Sequence, residues 1–116
     1  SDVWFAQGIA DGAFADYPAE SSAGKTTADV LAIYAQMPAI LDKIKGVSGA
    51  QLATPISFFG GVFNFPGVMY LQFLNNHMIH HRGQLSTYVR AANGKVPSIY
   101  GGSADEPFEM PATAGS

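Results

Sequence analysis

The three histidines of this chain, His77, His80 and His81, all lie within one five-residue window. Apolar residues recur around that window at the i, i+3, i+4, i+7 spacing that is typical of an amphipathic helix. These residues are Tyr70, Leu71, Leu74, Met78, Leu85, Tyr88 and Val89. At 3.6 residues per turn, His77 and His81 lie about 40° apart around the helix and one turn apart along it. His80 is rotated onto the other flank, about 60° from His77.

Two neutral imidazoles one turn apart on a rigid helix form half of a metal site, because their ring nitrogens can approach one ion to about 2.0–2.1 Å. The alternative is that His77 and His81 are polar residues at the margin of a core, or in a satisfied hydrogen-bond network. The zinc-protease pattern H-E-x-x-H is excluded because Met78 occupies the position of its general-base glutamate. Three further side chains share the stripe, either as partners of the ligands or as the lining of a pocket: Tyr70, Gln84 and Tyr88. Tyrosines at helical spacing are more often core residues.

The helix that carries the histidines has recognisable ends. Pro66 suits a first turn, where its missing N–H leaves no hydrogen bond unmade. Asn93 and Gly94 suit a C-terminal cap because both tolerate left-handed backbone. The pattern predicts one helix of roughly 28 residues, about 42 Å long. Arg82 and Arg90 point away from the histidine stripe, which favours ion-pair donors at the surface or at an interface.

Three runs in and after this helix closely resemble the C-terminal signature of the DinB (damage-inducible) family. They are Asn76–Leu85, with its HxxxHRGQ core, Tyr88–Arg90, and Val96–Glu106, which begins Val-Pro-Ser-Ile-Tyr-Gly. The resemblance extends over the whole chain. It implies an all-α, metal-binding four-helix bundle with up-up-down-down topology that forms dimers.

The resemblance also assigns site residues. His77 and His81 match the two ligands of the last helix, whereas relatives carry other residues at the position of His80. It implies a divalent metal ion, zinc or nickel, and a third histidine ligand a few residues before Ser1. We therefore expect a chain that lacks its N-terminal part. Residues 1–116 would form a single domain with about three of the four helices, the C-terminal two thirds of a DinB-like domain, and residues 95–116 would form an irregular tail.

Composition excludes several classes of function. The net charge of −3 and the lack of a basic run argue against nucleic-acid binding. Cysteine is absent, which excludes disulfides, cysteine-based zinc sites and thiol nucleophiles. No apolar run reaches the length of a membrane span and no signal peptide is visible, so we expect a cytoplasmic protein without a membrane partner. The 47% hydrophobic content favours burial of some surface in a homodimer.

The N-terminal half reads as two helices. Val3, Trp4, Phe5, Ile9, Ala10 and Phe14 predict the first, through about residue 15. Residues 11–25 read as a surface connection. Within it, Ala19–Thr26 fits a relaxed phosphate-loop pattern, which we interpret as a chance match because no strand precedes it.

Thr26 or Thr27 is predicted to cap the second helix, which Asp29 stabilises in its first turn and Gly46 closes. Pro38 lies inside this helix, and we expect a kink there rather than a break. Residues 47–65 contain two apolar runs around Gly60 and Gly61. A hairpin is possible, but we favour a phenylalanine-rich loop that covers one end of the bundle.

Two hypotheses for function remain open. The first is a metal-dependent enzyme in which an incompletely ligated ion activates water or a low-molecular-weight thiol. The second is a non-catalytic stress-response module whose metal or ligand stabilises a dimer. We expect His77 and His81 to point at a common spot near the N-terminal end of the first helix. Asp105 and Glu106 are interpreted as part of a solvated tail rather than as a metal-proximal acid pair.

Overall fold

A computed structural model describes residues 1–17, 25–99 and 101–107. In these ranges the chain forms helices and one β-hairpin, so the expected mainly helical fold is confirmed with a small sheet added to it. The elements are α1 (Asp2–Asp11), α2 (Thr27–Tyr34), α3 (Met37–Lys45), α4 (Gly49–Ala53), β1 (Pro55–Phe58), β2 (Phe63–Pro66) and α5 (Gly67–Ala91). Two compact units divide the chain, Ser1–Met78 and Ile79–Ser116, and their boundary falls within α5.

Helix α1 ends at Asp11 rather than near residue 15, so the predicted end was wrong. Gly12 caps the helix in the left-handed conformation, with φ at 73°, and backbone hydrogen bonds to the carbonyls of Gly8 and Ile9 close the last turn. Glycine reaches this conformation without the steric cost that a side chain brings. Phe14 then packs back on α1, and its ring occupies the space that a side chain at Gly8 would need.

The predicted second helix is two helices, α2 and α3, so the expectation of a kink without a break was wrong. Pro38 has no N–H to donate to the carbonyl of Tyr34, and the helical ladder is interrupted just before it. Pro38 instead occupies the first turn of α3, where the missing donor costs nothing. The predicted ends are confirmed: Thr26 and Asp29 form a reciprocal capping box at the start of α2, and α3 ends at Gly46.

The segment between α3 and α5 contains two elements that the sequence analysis did not favour. Ser48 accepts a hydrogen bond from the N–H of Gln51 and so caps the short helix α4. Strands β1 and β2 then pair antiparallel, from Pro55 opposite Pro66 to Phe58 opposite Phe63. The preference for an irregular loop was therefore wrong and the alternative of a hairpin correct. Its turn takes three successive residues to positive φ: Phe59, Gly60 and Gly61.

The core of the first unit joins side chains from α1, α3, β1 and the first half of α5. Its buried members are Ala6, Ile9, Ala10, Met37, Ile40, Ile44, Ile56, Tyr70 and Leu74. Helix α1 packs directly against α3. Tyr70 is 2% exposed, and its hydroxyl donates to the carbonyl of Ile56 at 2.8 Å. Tyr70 is therefore a core residue and not a partner of a metal ligand.

The end of α5 matches its prediction closely. The helix stops at Ala91, and Asn93 takes the expected left-handed conformation with φ at 60°. The residues that follow are irregular, as predicted, but their two acids are not simply solvated. Asp105 pairs with Arg90 at 2.7 Å and accepts from the N–H of Val96 at 2.9 Å. Glu106 accepts from the N–H of Ser98 at 2.7 Å, so both carboxylates hold this segment in shape.

Several sequence-based interpretations fall on residues outside the described ranges. Most of the phosphate-loop match, Ala19–Thr26, lies there, and so does the C-terminal part of the expected tail, from residue 108 onward.

Candidate metal centre

The imidazole of His77 lies beside the first turn of α1. Its Nδ1 atom is 2.8 Å from Oδ1 of Asp2, a residue 75 positions away in sequence. Asp2 is 7% exposed, and among the described residues it is the buried side chain that carries a charge. The contact exists because α5 crosses the same core as α1, through Leu74 on one helix and Ala6 on the other. His77 therefore lies beside the N-terminal end of the first helix, whereas the expected common spot for His77 and His81 stays a prediction.

Tyr34 completes a chain of three side chains from three helices. Its hydroxyl donates to Oδ2 of Asp2 at 2.5 Å, so each oxygen of the carboxylate has its own donor. The hydrogen bond to Asp2 raises the pKa of Tyr34 to about 12, with smaller contributions from burial and from the negative charge of Asp2. The phenol therefore stays protonated and remains a donor at neutral pH.

The partner of Nδ1 assigns the tautomer of His77. A carboxylate oxygen accepts hydrogen bonds, so the Nδ1 atom of His77 carries the proton and donates it to Asp2. In a neutral imidazole the lone pair is then on Nε2, the atom that can bind a metal ion. A ligating histidine usually has this arrangement, with its other N–H held by a carboxylate or a carbonyl group.

His81 has a similar arrangement within the second unit. Its Nδ1 atom is 2.8 Å from Oε1 of Gln84, and whether Gln84 thereby partners a metal ligand stays a prediction. The amide oxygen accepts, which again leaves the lone pair of the neutral ring on Nε2. The ring of His80 packs edge-on against that of His81, with centroids 5.2 Å apart. Tyr88 is 73% exposed and is therefore not part of the core.

The donor set fits a divalent ion in part. Neutral imidazoles suit zinc and nickel, and both candidate rings have Nδ1 held by an oxygen acceptor. Among the described residues, however, no group of three or more His, Cys, Asp or Glu side chains is arranged to hold a metal ion. The Nδ1 atoms of His77 and His81 have different partners, and a common ion at their Nε2 atoms stays a prediction.

A groove of about 270 Å³ lies within the second unit. Its walls are Ile79, Arg82, Gly83, Ser86, Val96, Pro97, Ile99, Gly101, Gly102 and Ser103. Neither candidate ligand lines it. The groove therefore does not distinguish an open catalytic ion from a structural one.

Comparison with known protein families shows to which family the chain belongs. A sequence profile described as "DinB family" matches residues 16–110, which is most of the chain. The chain belongs to the DinB family. This confirms the resemblance drawn from the histidine helix and from the segment that follows it. No curated protein and no solved structure matches the chain significantly. Among the described helices of this DinB protein, none is both long and apolar enough to cross a membrane.

Proposed function

We propose that this DinB-family protein binds one divalent metal ion, zinc or nickel, through Nε2 of His77 and Nε2 of His81. The observation that carries the proposal is the 2.8 Å contact between Asp2 and Nδ1 of His77. It leaves Nε2 of His77 as the atom with the lone pair, and the Gln84 contact does the same for His81. The helical spacing adds to this, because residues i and i+4 lie on the same face of a helix.

The proposed activity is that of a metal-dependent enzyme that uses an activated thiol or water. A bound ion with open coordination positions supplies Lewis acidity and lowers the pKa of the water or thiol that it coordinates. The chain itself supplies two imidazoles and the groups that orient them. No cysteine is available as an internal nucleophile, so a thiol would have to come from a small molecule.

The alternative is a non-catalytic stress-response module in which the ion or another ligand stabilises a dimer. Metal coordination discriminates between the two proposals. An ion with an open position beside a pocket favours the enzyme, whereas four protein ligands and no cavity favour the module. For the fold, we propose the up-up-down-down bundle arrangement of the DinB resemblance. Family membership and the packing of α1 on α3 support it.

The experiment begins with metal analysis of the purified protein after dialysis against zinc and, separately, nickel. We expect a stoichiometric amount of one of the two ions. The loaded and the metal-free protein are then screened with low-molecular-weight thiols and reactive electrophiles. Turnover that requires the ion supports the enzyme. Stoichiometric metal without turnover, accompanied by a rise in dimer stability, supports the module, and the absence of bound metal contradicts both metal-based proposals.

A further inference from the structure

Asp2 is an acid at the candidate metal centre, and its chemistry allows two roles there. It could bind the ion as a third ligand, or it could hold a histidine that does. Within the described residues its carboxylate is buried, 7% exposed, and both of its oxygens accept a hydrogen bond. His77 donates to Oδ1, and Tyr34 donates to Oδ2.

We infer that Asp2 is a positioning residue that orients His77 and fixes its tautomer, and that Tyr34 supports Asp2 in this role. The inference rests on the proposed metal site. Each oxygen of the buried carboxylate already accepts one hydrogen bond, from His77 or from Tyr34, and these two contacts fix how the carboxylate is turned. Each contact is a charge-assisted hydrogen bond, which is about twice as strong as a neutral one.

The local sequence explains how Tyr34 reaches Asp2. Tyr34 is the last residue of α2, and the helix stops there because Pro38 interrupts the ladder. The phenol lies 32 residues from Asp2 in sequence and is the longest donor on that helix. The phenol donates to Oδ2 of Asp2, and Oδ1 of the same carboxylate accepts from the N–H of His77.

The positioning role has a definite consequence for the His77 ring. With Asp2 present, the proton stays on Nδ1 and the lone pair on Nε2. Without this acceptor the two neutral tautomers of His77 compete, and the ring loses the contact that sets its rotation. The loss of such a carboxylate partner typically lowers metal affinity about 10- to 100-fold.

The test compares Asp2→Ala with Asp11→Ala. Both acids lie in α1 and both have side-chain partners, but Asp11 bonds Lys43 and Gln7 rather than a histidine. We expect zinc affinity to fall about 10- to 100-fold in Asp2→Ala and to stay close to wild type in Asp11→Ala. Tyr34→Phe keeps the carboxylate and is expected to give a smaller loss, below about tenfold.

Nitrogen-15 NMR of the histidine rings separates orientation from ligation. In the metal-free wild type, His77 is expected to be a single tautomer with its proton on Nδ1, and in Asp2→Ala a mixture. In the zinc-loaded wild type, the hydrogen bond from Nδ1 of His77 to Asp2 is expected to persist, and the exchange of the Nδ1 proton with solvent reports on it. Faster exchange of that proton on zinc binding, with Nε2 of His77 still bound to zinc, would show that Asp2 turns to the ion and would overturn the inference.

The outcomes distinguish this inference from the metal proposal. If the wild type binds no zinc but Asp2→Ala alters the tautomer, the metal site is refuted and the orientation of His77 by Asp2 stands. If zinc binds equally to wild type and to a folded Asp2→Ala protein, the positioning role is refuted and the metal site stands. If Asp2→Ala does not fold, Tyr34→Phe decides, and unchanged zinc affinity and tautomer in that variant contradict the inference.

Discussion

The carboxylate of Asp105 ties the segment after α5 back to that helix, through Arg90 and through the N–H of Val96. The hydrogen bond from Val96 is the main cause that lowers the pKa of Asp105 below its ordinary value of 3.8, and the charge of Arg90 adds to it. A group with a lowered pKa stabilises the fold at pH values above its unfolded pKa, and this contribution is lost as the pH falls through the folded pKa.

We therefore predict that the 95–107 segment is held at neutral pH and loosens in acid, below the ordinary pKa of an aspartate. Asp105→Asn should produce the same loosening at neutral pH, because it removes the charge that pairs with Arg90. Amide hydrogen exchange at Val96 measures this loosening. Asp42→Asn is the control, because it also removes an ion pair, the one between Asp42 and Lys45 on α3. Faster exchange in both variants would indicate a general charge effect instead.

At the residue scale, the sequence identified the histidines but not the network that holds them. Gln84 was recognisable as a partner of His81 because it lies three residues later on the same helix, where helical spacing alone brings the two side chains together. Asp2 and Tyr34 were not recognisable, because tertiary packing alone brings Asp2 to His77 across 75 positions and Tyr34 to Asp2 across 32.

The packing of the Phe14 ring on α1 depends on the lack of a side chain at Gly8. An added Cβ would collide with the ring of Phe14, which is confined by Trp4, Phe5 and Tyr70. Overpacking of this kind costs about 1–3 kcal/mol. Replacing glycine by alanine stabilises a helix by at most about 1 kcal/mol, so the cost of the collision outweighs the gain in helix propensity.

We accordingly predict that Gly8→Ala lowers the melting temperature by about 4 °C or more. Gly49→Ala is the matched control, because Gly49 is also helical and a Cβ there meets nothing within 4 Å. Thermal unfolding followed by circular dichroism measures both variants. An unchanged or raised melting temperature in Gly8→Ala would show that the ring of Phe14 moves aside for the added methyl group without a loss of stability.

The existence of the long helices was predictable, but some of their ends were not. Hydrophobic periodicity located α1, the α2–α3 region and α5, and residues that favour helix ends located Thr26, Gly46 and Asn93. The errors arose where one residue outweighs the periodicity. Gly12 ends α1 although the apolar pattern continues to Phe14, and Pro38 separates α2 from α3. The hairpin depends on cross-strand pairing, which a local turn signal does not settle.

At the scale of the whole molecule, apolar side chains remain exposed on the second half of α5. Ile79, which lies about 160° around α5 from His81, is 48% exposed. Exposed apolar residues of this size are typical of surfaces that other proteins cover. We propose that the outer face of α5 forms a homodimer interface, as the DinB resemblance implies.

Light scattering tests this proposal, and we predict a dimer at tens of micromolar protein. Ile79→Glu should shift the protein toward monomer, because burial of an unpaired charge in an interface is unfavourable. Leu31→Glu adds the same charge on α2, where Leu31 is 64% exposed, and should leave the dimer intact. A wild-type protein that is only monomeric under these conditions would refute the dimer.

The metal content of three single variants shows whether His77 and His81 are the metal ligands of this chain. After equal loading with zinc and removal of the excess, the wild type should retain a stoichiometric amount. His77→Ala and His81→Ala should each lose it, because each removes one of two imidazoles on the same face of α5. His80→Ala should keep most of it, since His80 is rotated off that face. Equal metal loss in all three variants, or retention in His77→Ala and His81→Ala, would contradict the assignment.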